Sequence, residues 1–276
     1  MQRVLIVALA VLGTTVTQSA ELDWPESGTQ FAQAKKKTFP KYVNVFGIDF
    51  YATADAPDDK IIHAVNVLAK WLDSDEDGVP DNQKIVDAMI AKKATMIAAM
   101  NNRDLRQYAI PYPNWQNVWT DNVRPLGEGG KYDEAIEEVL HLITDYGWEN
   151  AYPEAFARKR GTRLAKASEA ARGGYFEEVP EKYPDDAWHK YYDESCDYGC
   201  HMAEYLHWAL TSILGGQDYE GSFDRGGDQW KLRTRELMKS GDPVMYELLT
   251  DPKYSLPTVL PDGKYSAKKF VVQRIE

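Results

Sequence analysis

Along the chain the apolar positions shift from the spacing of strands to that of helices. Tyr42-Val-Asn-Val-Phe-Gly-Ile-Asp-Phe-Tyr51 is β-branched and aromatic, as a buried strand should be. Asp55 and Pro57 supply start signals for a helix over 58–72, in which Ile61, Ile62, Val65, Leu68, Ala69 and Leu72 recur at helical spacing. A charged loop precedes a second helix over 83–93, with Ile85, Val86, Met89 and Ile90 inside. Residues 94–100 and 115–123 read as strands. Glycines at 127–130 lead into a helix over 132–146, and helical patterns return at 153–172 and 196–214, separated by the Pro- and Gly-rich segment 173–190. The tail is turn-rich (Asp242-Pro, Asp251-Pro, Asp262-Gly) and ends on a strand-like run at 270–275. Strands come early and helices late, with no internal repeat. This order predicts an α+β fold, a small N-terminal sheet with helices followed by a mainly helical C-terminal half.

The first segment reads as a delivery tag. Arg3 precedes an apolar run from Val4 to Leu12, and small polar residues follow to Ser19 and Ala20, the order of a secretory signal peptide over 1–20. The run is too short to span a bilayer, so no stable membrane anchor is expected, although an uncleaved anchor is the rival reading. Residues 21–41, with Lys35 to Lys37 and Pro40, read as a flexible leader, and 42–276 as a single domain. Export places the chain in an extracellular or periplasmic setting, where Cys196 and Cys200 most simply form one disulfide; a thiolate metal pair is the weaker alternative. The chain carries 32 basic and 43 acidic side chains, a net charge of −11, which repels phosphate backbones and argues against nucleic-acid binding. Eight Trp and 17 Tyr suggest an aromatic cleft or surface able to meet a protein, peptide or polymer partner.

Two strings carry candidate chemistry. The first is Asp73-Ser-Asp75-Glu-Asp77-Gly78-Val-Pro-Asp81. Asp at positions 1, 3, 5 and 9, Gly at 6 and the backbone carbonyl of Val79 at 7 match the cation-binding half of an EF-hand loop over 73–84. The string resembles EF-hands, and its Asp-Gly-Val-Pro-Asp wording is also similar to thrombospondin type-3 loops; both resemblances imply calcium. The bidentate Glu expected at position 12 is here Lys84, which implies weak affinity of the kind extracellular calcium tolerates. The plain alternative is a solvated acidic turn, but five carboxylates within nine residues repel one another unless a cation sits among them.

The second string is Glu137-Glu138-Val-Leu-His141 on helix 132–146. It departs from His-Glu-x-x-His only at the first position. Glu137 and His141, four apart, share one helix face, and Glu138 stands where a metallopeptidase keeps its general base. Helix 196–214 carries His201-Met-Ala-Glu204-Tyr-Leu-His207-Trp208. The motif and the order of elements resemble the zincin metallopeptidases, and the gluzincin pattern implies zinc with Glu204 as a third, carboxylate ligand. Two carboxylates on one zinc weaken its pull on bound water, so either His201 or His207 replaces the missing imidazole or the site is a relic of an enzyme.

Other readings use the same residues. Glu138-x-x-His141 and Glu204-x-x-His207 match the paired motif of di-metal carboxylate oxidoreductases, which need two further helices each with an inward Glu. Alternatively, helix 132–146 is a plain amphipathic surface helix with His141 in solvent. Helix 196–214 weighs against the plain reading, because its polar face holds Glu, His and Trp and no Lys. The sequence therefore predicts a secreted calcium-binding protein with a zincin-like metal centre, either a metallohydrolase or a pseudo-enzyme derived from one. A non-enzymatic calcium-binding interaction protein is the alternative. His63 and His189 have no partners in sequence and are expected to be structural or exposed.

Overall fold

The computed structural model describes residues 38–101, 114–222 and 227–275. The signal-peptide reading and most of the expected leader lie outside them. The end of that leader already belongs to the fold, since Phe39 is fully buried and Lys41 opens the first strand.

The expected long strand at 42–51 is instead a hairpin of β1 (Lys41–Val45) and β2 (Ile48–Ala52). Phe46 and Gly47 both take positive φ, 52° and 89°, the backbone of a tight two-residue hairpin turn. From β2 the chain runs through α1 (Asp58–Leu72), the acidic loop and α2 (Gln83–Ala91), and returns to β3 (Thr95–Ala99) parallel to β2. β4 (Trp115–Trp119) adds parallel to β3, and β5 (Gln273–Arg274) closes the other edge against β1, giving the order β4-β3-β2-β1-β5. β4 ends earlier than the sequence pattern suggests because residues 120–122 turn into a 3-10 helix.

Period-two alternation divides the sheet's side chains between two layers. Val43, Val45, Phe50, Met96, Ala98 and Val118 face the helices and join the main core, while Tyr42, Tyr51, Ile97 and Ala99 pack with Phe39 on the other face. The main core continues into α3 (Glu134–Ile143), α4 (Arg163–Ala171), α5 (Tyr198–Ile213), α6 (Arg235–Gly241) and α7 (Pro243–Thr250). The fold is α+β, and the late helices share the core of the sheet. Residues 144–148 form a wider π turn, and the helical pattern at 153–172 is broken into Pro153–Phe156 and α4.

Three contacts fix α3 against its neighbours. The Asp133 carboxylate caps its N-terminus by accepting from Ala135 N at 3.1 Å, and its other oxygen lies 2.6 Å from His63 Nε2 on α1. Trp71 Nε1 of α1 donates to Ile136 O at 3.2 Å. α3 is thus pinned between α1, the β4 edge and α5. α5 is capped by Asp197, which accepts from Cys200 N at 2.8 Å, and every residue from His201 to Ile213 is buried. Cys196 and Cys200 form the disulfide, with Cα atoms 5.2 Å apart across the start of α5. Among the described residues no helix is long and apolar enough to cross a membrane. Trp71, Trp148, Trp208 and Trp230 are buried and build the interior, and among the described residues Tyr175 and Tyr192 are the exposed rings.

Candidate metal centre

α3 and α5 cross so that four side chains meet. Glu137 and His141 stack on one face of α3 by their four-residue spacing, and Glu204 and His207 do so on α5 by a three-residue spacing. One ligand atom from each of the four lies within 4.8 Å of the others. His141 Nε2 is 3.5 Å from Glu204 Oε1, and His207 Nδ1 is 3.8 Å from Glu137 Oε1, so each carboxylate faces an imidazole of the opposite helix.

Burial excludes the plain surface-helix reading of His141. His141 is 7% exposed, Glu204 8% and His207 0%. The site is framed by two hydroxyls. Tyr132 Oη lies 2.8 Å from His207 Nε2, which leaves Nδ1 to face the centre, and the Tyr191 hydroxyl bonds to Glu204. A ring nitrogen held by an outer partner is the usual way an imidazole ligand is oriented. Sequence reasoning missed both tyrosines, although a Tyr buried beside a polar helix face ordinarily spends its hydroxyl on that face.

Of the two candidate imidazoles, His207 joins the cluster and His201 does not. The His201 ring stands edge-on to Tyr191 at 6.0 Å, one layer behind the site. Glu138 also lies outside the group of four. Its carboxyl takes the side-chain amide of Gln116 on β4, and burial, followed by the charge of Glu137, pushes it well above the usual carboxylate range despite that bond. The di-metal motif needs Glu138 as a ligand, yet the cluster uses Glu137, and among the described residues no further carboxylate joins it. One ion fits this group better than two.

The donor set suits a divalent cation. Buried carboxylates brought together repel strongly unless a positive charge lies among them. At metal–ligand distances of about 2.0–2.1 Å a tetrahedral shell places its atoms about 3.3 Å apart, which these four side chains reach with shifts of under about 1 Å each. A cavity of about 400 Å³, walled by Arg124, Lys131, Tyr132, Glu134, Glu137 and Tyr219, reaches the group at Glu137 alone.

The acidic loop gives a second group, Asp73, Asp75 and Asp81. Asp73 is fully buried and accepts from Asp77 N at 3.3 Å, Gly78 N at 2.9 Å and the Tyr265 hydroxyl. Asp81 accepts from Ser74 N at 2.9 Å. Gly78 takes φ 90°, a positive-φ backbone that favours glycine. The Asp77 amide lowers the Asp75 carboxyl, but desolvation and the charges around it outweigh that bond and leave it raised. Asp77 is not in the group of three: its Oδ1 accepts from Val79 N at 2.8 Å. Lys84, at the closing position, turns its ammonium onto the Tyr152 ring, 4.1 Å from the centroid.

No family model matches this sequence, and neither the curated proteins nor the solved structures provide a match. The functional reading therefore rests on the two sites.

Proposed function

We propose that this chain is an exported, calcium-stabilised metalloprotein that holds one zinc ion between α3 and α5 and does not hydrolyse substrates. The observation that carries the reading is the convergence of Glu137, His141, Glu204 and His207 within 4.8 Å inside the core. Two imidazoles and two carboxylates supply nitrogen and oxygen donors for zinc, and four protein ligands fill a tetrahedral shell, the mark of a closed site. A hydrolytic site keeps one position for water and a base beside it. Here the cavity meets the cluster only at Glu137, and Glu138 is committed to Gln116. Two carboxylate ligands also neutralise the ion, so a bound water would be a poor nucleophile at neutral pH. The resemblance to zincins then describes a pseudo-enzyme.

Calcium in the loop is the second part of the proposal, supported by the loop's carboxylates, its amide-to-carboxylate bonds and the left-handed Gly78. Secretion is supported by the Cys196–Cys200 disulfide, a bond that persists in oxidising compartments.

Metal analysis of the purified protein tests the proposal. One zinc per chain is expected, lost in His141→Ala and kept in Glu138→Gln. Peptide or ester hydrolysis that disappears in Glu138→Gln would overturn the pseudo-enzyme, and two irons per chain would overturn the single-ion centre.

A further inference from the structure

Behind the metal centre lies a second concentration of buried polarity that the metal does not use. Arg172 closes α4 and is 1% exposed, yet among the described residues no carboxylate is ion-paired with it. Its Nη1 donates to Phe176 O at 2.8 Å, and its Nη2 to Glu178 O at 3.3 Å and to the Tyr183 hydroxyl at 3.4 Å. The rings of Phe176 and Tyr183 flank the guanidinium. Its Nε has no protein partner. Two imidazoles share this layer. His189 and His201 are both 0% exposed, and neither nitrogen of either ring has a protein partner.

The three residues belong to one neighbourhood. His189 N donates to Ala171 O at 3.1 Å, which fixes it at the end of α4 beside Arg172. The Tyr183 hydroxyl that accepts from Arg172 donates in turn to Tyr191 O at 2.8 Å, and the Tyr191 ring meets His201 edge-on. After burial, the charge of Arg172 is the strongest influence on both imidazoles and helps to keep them neutral.

A buried cation without a counter-charge is costly, and so is each buried N–H without an acceptor. A neutral imidazole keeps one N–H. Arg172 Nε, His189 and His201 therefore offer three N–H donors beside one uncompensated positive charge. We propose that these three residues form a buried site for a single small monovalent anion, a halide. One guanidinium balances one negative charge, the donors are all N–H groups, and the full burial of the two rings favours a compact spherical ion over a polyatomic one. Water would accept from the same donors but would leave the charge of Arg172 uncompensated. This site is separate from the proposed zinc centre, and zinc content and halide occupancy are read independently.

Crystals of the full-length chain grown in saturating bromide test it by anomalous scattering. A bromide peak is expected within hydrogen-bonding reach of Arg172 Nε, His189 and His201. An ordered water there, with no anomalous signal, overturns the proposal. In solution, bromide should raise the melting temperature by about 3–5 °C per tenfold concentration increase above saturation, relative to methanesulfonate at equal ionic strength. Arg172→Leu should lose that response. Equal melting of the wild-type protein in the two salts overturns the proposal whether or not the variant folds.

Discussion

The two carboxylate-bearing sites of this molecule are assembled in opposite ways. The loop at 73–81 gathers its acids from one continuous stretch, with Asp75 and Asp77 exposed and backbone amides of the same loop bonded to Asp73, Asp75 and Asp77. The centre between α3 and α5 draws two residues from each of two distant helices and buries three of the four. An ion in the loop would organise a turn built from one short stretch, held to the rest of the fold by the contacts of Asp73 with Tyr265 and of Glu76 with Lys70 and Ser266. At the helix crossing an ion would offset buried charge repulsion that only the folded core creates, so its binding energy would be folding energy.

The largest expected effect comes from emptying the crossing. At free zinc a thousandfold above Kd, removal of the ion should lower the melting temperature by about 8–16 °C, given about 4 kcal/mol of linkage and a chain of this size. His141→Ala should melt low and stop responding to zinc. Equal melting with and without zinc would reduce the crossing to a hydrogen-bonded polar cluster, and the contrast between the sites would collapse.

Calcium should act more weakly, since position 12 contributes no carboxylate. At calcium tenfold above Kd a rise of about 3–6 °C is expected, measured against chelator. Asp73→Asn should abolish that rise and leave the zinc response intact. Loss of both responses together would show that the sites are coupled.

The same contrast explains what the sequence revealed. The loop's shape was legible because its carboxylates are neighbours: Asp73, Asp75 and Asp81 stand at fixed offsets around Gly78, and the three acids come together. At the crossing, spacing alone placed Glu137 with His141 and Glu204 with His207, since each pair is set by one helix. The choice of His207 over His201 was not legible. It depends on how α5 is rotated against α3 and on Tyr132 holding Nε2, both tertiary facts. The hairpin in 42–51 was hidden because Phe46-Gly47 interrupts the apolar run without a polar residue. Ahead of its strand-like end the tail shows only turn signals in its sequence, yet Tyr265 and Ser266 bond into the acidic loop from nearly two hundred residues away.

That latch gives a smaller test of how local the loop is. Tyr265→Phe removes the hydroxyl that donates to Asp73 and should cost about 1 kcal/mol of stability, seen as a shifted denaturant midpoint. Calcium affinity should change little if the loop's own amides organise Asp73. A large loss of affinity would mean that the tail builds the site.

The smallest effect is one of pH and concerns Glu76, whose carboxylate ties the loop to both α1 and the tail. It accepts from Lys70, from the Ser266 hydroxyl and from Ser266 N at 2.6 Å. The bond from Lys70, followed by those from Ser266, lowers its pKa from an ordinary 4.5 to about 2. A carboxyl lowered by folding binds its proton more readily in the unfolded chain. Its stabilisation is therefore complete above about pH 4.5 and is lost as pH falls from there towards about 2. The group is partly open to solvent, with a side chain 21% exposed, so the contribution should stay below about 1 kcal/mol. In chelator, Glu76→Gln should be less stable than the wild type above pH 5 and approach it near pH 2. Wild-type and variant curves that stay parallel through that window would show that Glu76 does not hold the tail, leaving Tyr265 as the latch.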